Sequence, residues 1–136
     1  MRFVLQRTML IGVITGILVF FGVHVVDTDE LGTSLVIVLA VIASLYPGSL
    51  LASGNTQATP VIAQEFAAAA FTYLFVVLGT VVASWWVIPG YIWHGLWDWA
   101  HHNNRCGARV VSWYPPWCAG VDFAIGGLAF VWLVVL

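Results

Sequence analysis

The sequence predicts an all-α, polytopic transmembrane helical bundle, and three observations carry that expectation. Of 136 residues, 62% are hydrophobic and only 7% are charged, against roughly 45–50% and 25% in soluble domains. Apolar runs of about 20 residues, the length that crosses a hydrocarbon core, recur along the chain. Short polar or turn-forming stretches separate them. A soluble fold would lack the polar side chains to cover its surface, so residues 1–136 are expected to form one membrane domain in contact with the lipid bilayer. The four basic residues are all arginines, and without lysine a nucleic-acid surface is excluded. The formal net charge of -2 is too small to identify a charged partner.

Five spans follow, at about 3–26, 31–52, 60–82, 84–103 and 116–136. Arg2 and Arg7 precede the first apolar run, but no alanine occurs before Ala40. A cleavable signal ends in small residues, so a retained span is expected. Asp27, Asp29 and Glu30 end it. Pro47-Gly48 weakens the end of the second span. Thr59 followed by Pro60 is a helix start, with Thr59 as cap and Pro60 at the first position. Pro89-Gly90 divides the next apolar stretch, so four crossings plus a re-entrant or interfacial helix at 90–102 is the alternative topology. Charge decides between them. Five crossings put all four arginines on one side and Asp27, Asp29 and Glu30 on the other, and the positive-inside rule then makes the N-terminus cytoplasmic in a cell membrane.

Function is expected where polarity interrupts this apolar background. His94, Asp98, His101 and His102 fall within nine residues. Ionisable groups inside a membrane cost several kcal/mol unless paired or solvated. At 100° per residue, His94, Asp98 and His101 share one helical stripe, with His102 at its edge. Helix rise places His94 and Asp98 about 6–14 Å inside the cytoplasmic end. Glu65, five residues past Pro60, and Asp122, six past Pro116, project to the same layer. His94, Asp98, His101 and Asp122 are therefore candidate metal ligands, and Asp122 and Glu65 candidate catalytic groups. Imidazole and carboxylate suit a divalent ion such as zinc, iron or manganese.

Structural readings stand beside this one. His101 and His102 lie in a last turn, where they satisfy free carbonyls and complement the helix dipole. Asp98 has Arg105 two turns on as a partner, Asp122 a helix start, and Glu65 a membrane interface. His24 beside Asp27 reads as an interfacial side chain. Cys106 and Cys118 are expected as thiols on the cytoplasmic side, with Cys118 one turn before Asp122 as a ligand in reserve. Seven of the eight tryptophans lie between Trp85 and Trp117, and belt anchoring accounts for Trp85, Trp86, Trp113 and Trp117. Trp93, Trp97 and Trp99 border the polar stripe. The run Ala67–Ala70 suits close helix contact.

The segment Gly90-Tyr91-Ile92-Trp93-His94-Gly95-Leu96-Trp97-Asp98 with His101-His102, followed by Trp113-Tyr114-Pro115-Pro116-Trp117-Cys118 and Asp122, resembles a group of small multi-spanning prokaryotic membrane proteins. Their pattern is H-x-L-W-D…H-H followed by W-Y-x-P-x-C…D. The resemblance covers roughly the last third of the chain. It implies that His94, Asp98, His101, Cys118 and Asp122 belong together, and it carries no activity with it.

Three functions compete. A metal-dependent membrane enzyme, hydrolase or oxidoreductase, would act on a hydrophobic small molecule from the cytoplasmic leaflet. A transporter or proton relay would titrate the same groups, but the outer halves of the spans, such as 76–82 and 125–135, offer almost no polar path. An accessory subunit of a larger membrane complex, or a homo-oligomer, would use the cluster for packing. The first is the expectation.

Overall fold

The computed structural model describes residues 2–26, 30–52, 58–102 and 105–136, with side chains from residue 5 onward. Asp27 and Asp29, the loop 53–57, Asn103 and Asn104 lie outside the described residues. Six helices follow in order: α1 (Arg2–Val26), α2 (Leu31–Ala43), α3 (Leu45–Ala52), α4 (Thr59–Val81), α5 (Val87–His101) and α6 (Tyr114–Phe130). A 3-10 turn, Ser84–Trp86, leads into α5, and a π-helical turn, Val131–Val135, extends α6. Four segments are long and apolar enough to cross a membrane: Leu5–Val26, Leu31–Ala52, Thr59–Val81 and Tyr114–Val135. The fifth expected span is the short α5, whose 15 residues rise about 22 Å.

Local departures from expectation have simple causes. The second span is broken at Ser44 rather than at Pro47-Gly48. Pro47 lacks an N–H, so the carbonyl of Ala43 loses its helical donor and the chain turns there. The Ser44 N–H donates to Val41 O at 3.1 Å, and its hydroxyl bonds Ala40 O at 3.0 Å. At α4 the N-cap is Ala58 in extended conformation, with no side-chain cap, so Thr59 opens the helix instead of capping it. The last helix begins at Tyr114, ahead of the two prolines.

Neighbour contacts fix the topology. Along α4 and α5, Glu65 meets Trp97 and His101, Phe71 meets Trp93, and Gly79 faces Val87. The two helices are antiparallel over the whole of α5. Helix α5 also runs antiparallel to α6, with Asp122 beside His94 and Gly126 beside Tyr91 and Ile92. Arg7, Arg105 and Arg109 therefore lie at one end of the bundle, and Glu30 at the other.

The strip that α5 buries is inverted for a helix. Val87, Gly90, Tyr91, His94, Gly95, Asp98 and His101 face inward, while Ile92, Leu96 and Trp99 face outward. Lipid takes the apolar face, and the inner face is small or polar. Above the polar layer, Tyr91 and Val87 join Leu35, Leu39, Phe20 and Ile125 in an apolar core, and the Tyr91 hydroxyl donates to Leu35 O at 2.8 Å.

The closest helix contact is the parallel pair α1 and α6. Glycine makes it possible. A Cβ at Gly12 would strike the carbonyl of Trp117, one at Gly16 would meet Val121 and Ala124, and one at Gly120 would strike Met9 O. Without a hydrophobic force between helices in lipid, such close packing supplies the association energy. The expected small-residue contact on α4 is only half used: Ala68 and Ala69 are buried, Ala67 and Ala70 exposed.

Gly12→Ala is expected to lower the unfolding midpoint in detergent by several degrees, because overpacking costs about 1–3 kcal/mol. Gly22→Ala in the same helix meets nothing within 4 Å and leaves the midpoint unchanged or raised. Thermal melts of the two variants check the pair.

Candidate functional site

At the arginine end of the bundle, five buried ionisable residues from three helices fall into two clusters. The first is built on Glu65 of α4. Its Oε1 lies 2.6 Å from His101 Nε2, and its Oε2 accepts from Trp97 Nε1 at 3.2 Å. The backbone N–H of Ala108 also donates to Oε1. His101 Nδ1 donates to Trp97 O at 2.9 Å, so this imidazole is held at both nitrogens. The cluster is saturated: each polar atom of the Glu65 and His101 side chains has a partner. It clamps the α5–α6 loop over the end of the bundle.

Gly107 belongs to that clamp. Its φ is +64°, and a Cβ there would strike His101 Nε2 and Glu65 Oε1. Left-handed backbone and lack of space both demand glycine. The adjacent Gln64 accepts from the Gly107 N–H at 3.4 Å. In the same loop, burial and then the nearby Glu65 charge raise the Cys106 thiol above its usual range, which makes it a slow nucleophile at neutral pH. Both cysteines are free thiols.

The second cluster is His94, Asp98 and Asp122. One ligand atom from each lies within 4.8 Å of the others, and all three residues are buried. His94 Nδ1 is 2.7 Å from Asp122 Oδ2 and 3.4 Å from Asp98 Oδ2. A single N–H serves only one of those oxygens well, and Asp122 has it. Gly95 lets α6 come close here: a Cβ at that position would crowd Phe123 and Asp122. Asp98 is 0% exposed, yet neither of its oxygens accepts a hydrogen bond of ordinary geometry among the described residues.

Between the clusters lies Tyr46, on the buried stripe that Leu39 and Ala43 begin. Its ring stacks on His101 with centroids 4.3 Å apart. A narrow crevice of about 160 Å³, without room for a water molecule, separates Tyr46, Glu65, His94 and Trp97.

The layer anticipated from spacing thus exists, but it is divided. His94, Asp98 and Asp122 come together, whereas His101 goes to Glu65. His101 lies outside the group of ligand atoms within 4.8 Å of one another, with its Nε2 on Glu65 Oε1 at 2.6 Å and its Nδ1 on Trp97 O. Asp98 has no arginine partner among the described residues, and Arg105 is exposed. His102 closes α5 through its backbone N–H to Trp99 O, and its Nδ1 has no partner among the described residues. His24 packs edge-on against Trp132 at the opposite end. Trp97 as a donor to Glu65, and Tyr46 altogether, were not anticipated. The signal for Trp97 was its i+4 spacing to His101 on the polar face.

No family model, curated protein or solved structure matches the chain.

The two clusters predict opposite responses to mutation. Glu65→Ala leaves an imidazole, an indole N–H and a backbone N–H unpaired, and is expected to destabilise the protein by about 3–5 kcal/mol. Asp98→Asn removes a buried charge without breaking a bond, so in chelator it is expected to be neutral or stabilising. Unfolding in detergent with chelator present measures both. A loss for Asp98→Asn as large as for Glu65→Ala would contradict the assignment.

Proposed function

We propose that this chain is a metal-dependent membrane enzyme, centred on His94, Asp98 and Asp122, that acts on a hydrophobic substrate. One observation carries the reading. Asp98 is completely buried, and both of its oxygens lack hydrogen bonds among the described residues. A bare carboxylate in an apolar interior costs several kcal/mol, and a bound divalent ion supplies the missing charge.

The donor set supports the same reading. One imidazole and two carboxylates suit zinc, iron or manganese. Ligand atoms about 2.0–2.2 Å from a common ion stand roughly 3.0–3.4 Å from each other. His94 Nδ1 stands 2.7 and 3.4 Å from the two aspartates, so small side-chain shifts suffice. Three protein ligands leave positions open for water or substrate, and a metal-bound water ionises near neutral pH.

Apolar grooves bring the bilayer close to this layer. One of about 420 Å³ lies beside α4, lined by Ala67, Ala68, Phe71, Trp93 and Trp97. Ala68 and Trp97 also line the inner crevice, so a hydrophobic molecule in that groove stands one side chain away from His94. With Arg7, Arg105 and Arg109 at this end, the positive-inside rule orients the site toward the cytoplasmic leaflet of a cell membrane, N-terminus inside.

Metal analysis of the purified protein tests the reading. Wild type is expected to hold about one equivalent of zinc, iron or manganese, and His94→Ala and Asp98→Asn to hold almost none. Ligands must be deprotonated to bind, so occupancy is expected to fall on acidification. A wild type with no more metal than His94→Ala would contradict the proposal and leave the cluster to proton handling.

A further inference from the structure

Asp98 is not the only buried polar group in this layer without a partner. Tyr46 is 3% exposed, and its hydroxyl makes no hydrogen bond of ordinary geometry among the described residues. A buried phenol normally finds one, and Tyr91 does, bonding Leu35 O at 2.8 Å; even the exposed Tyr73 bonds Ala40 O at 3.0 Å.

The position of Tyr46 is imposed from several sides. It continues the buried stripe of Leu35, Leu39 and Ala43. Its ring lies on the His101 imidazole, 16° from parallel, and His101 is itself fixed by Glu65 and Trp97 O. Tyr114 packs edge-on at 5.9 Å. The ring centroid stands 6.4 Å from that of His94. Asp98, Cys118 and Tyr114 are the ionisable groups around its hydroxyl, and Asp98 stands within hydrogen-bonding reach of it.

Thus a phenol oxygen and two carboxylate oxygens, none with a proper hydrogen bond, sit in one dry layer beside His94. Each is an oxygen donor of the kind that a hard cation takes. The phenol approaches Asp98, but short of ordinary hydrogen-bond geometry, so neither group has a full partner. We propose that Tyr46 is the fourth protein ligand of the centre, its phenol oxygen completing a set with His94, Asp98 and Asp122. This rests on the metal reading above. On coordination the phenol O–H bond breaks, an oxygen lone pair forms the bond to the ion, and the proton leaves to bulk water, as when other acidic ligands bind a metal. Phenolate is an established donor to iron, and the clamp on His101 gives Tyr46 the fixed orientation that a ligand needs.

Ferric iron is the probe, because iron-bound phenolate absorbs visible light. Iron-loaded wild type in detergent is expected to be coloured, and resonance Raman excitation in the band is expected to show phenolate ring modes that shift with ring-deuterated tyrosine. Tyr46→Phe is expected to lose the band and to bind iron at least about tenfold more weakly. Tyr114→Phe and Cys118→Ser are expected to keep it. Iron held in a His94- and Asp98-dependent manner without phenolate modes, or a band that survives in Tyr46→Phe, would overturn the assignment of Tyr46 and leave the metal centre standing. A wild type that takes up no metal would overturn both. Should Tyr46→Phe fail to fold, the labelled wild-type spectrum together with Tyr114→Phe decides, since Tyr73 and Tyr91 are bonded elsewhere.

Discussion

Burying a carboxylate where there is no water is the constraint around which this bundle is arranged. Glu65, Asp98 and Asp122 are each 1% exposed or less, and each must be matched by something other than solvent. Glu65 is matched entirely by protein: an imidazole, an indole and a backbone N–H. Asp122 is matched by His94. Asp98 has the Tyr46 hydroxyl nearby and a long contact to a histidine already engaged. The same chemistry therefore serves two ends at one depth. A saturated carboxylate holds a loop in place, and an unsaturated one leaves a buried group without its full set of partners.

The surrounding helices make that arrangement affordable. Glycines at 12, 16 and 120 bring α1 and α6 into backbone contact, and Gly95 and Gly126 make room for side chains between α5 and α6. Close contact lets α6 present Asp122 directly to His94 on the facing helix. The helix that carries most of the polar groups, α5, is shielded by α2, α4 and α6, and it turns its large apolar side chains outward.

Much of this was legible in the sequence. Apolar run lengths gave the helices, and the spacing of His94, Asp98 and His101 put them on one face. Counting from Pro60 and Pro116 brought Glu65 and Asp122 to their depth. The division into two clusters was not read. A shared stripe says which way side chains point and nothing about which neighbour claims them. Trp97 was placed beside the polar stripe, but its single N–H was not assigned to Glu65. Tyr46 was missed as one aromatic in an apolar run, although it continues the stripe of Leu35, Leu39 and Ala43 that faces the bundle. The break at Ser44 follows from proline chemistry, one turn earlier than the proline's own position.

Two functional readings share this geometry, one in which a cation neutralises Asp98 and one in which a proton does. They differ in what occupies the space between His94 and the carboxylates. X-ray absorption at the metal edge of purified, metal-replete protein addresses that space most directly. The account predicts a first shell of nitrogen and oxygen only, at about 2.0–2.2 Å, with the outer-shell scattering of a single imidazole. A sulfur shell, scattering from two or more imidazoles, or a spectrum unchanged by loss of Asp98 would contradict it.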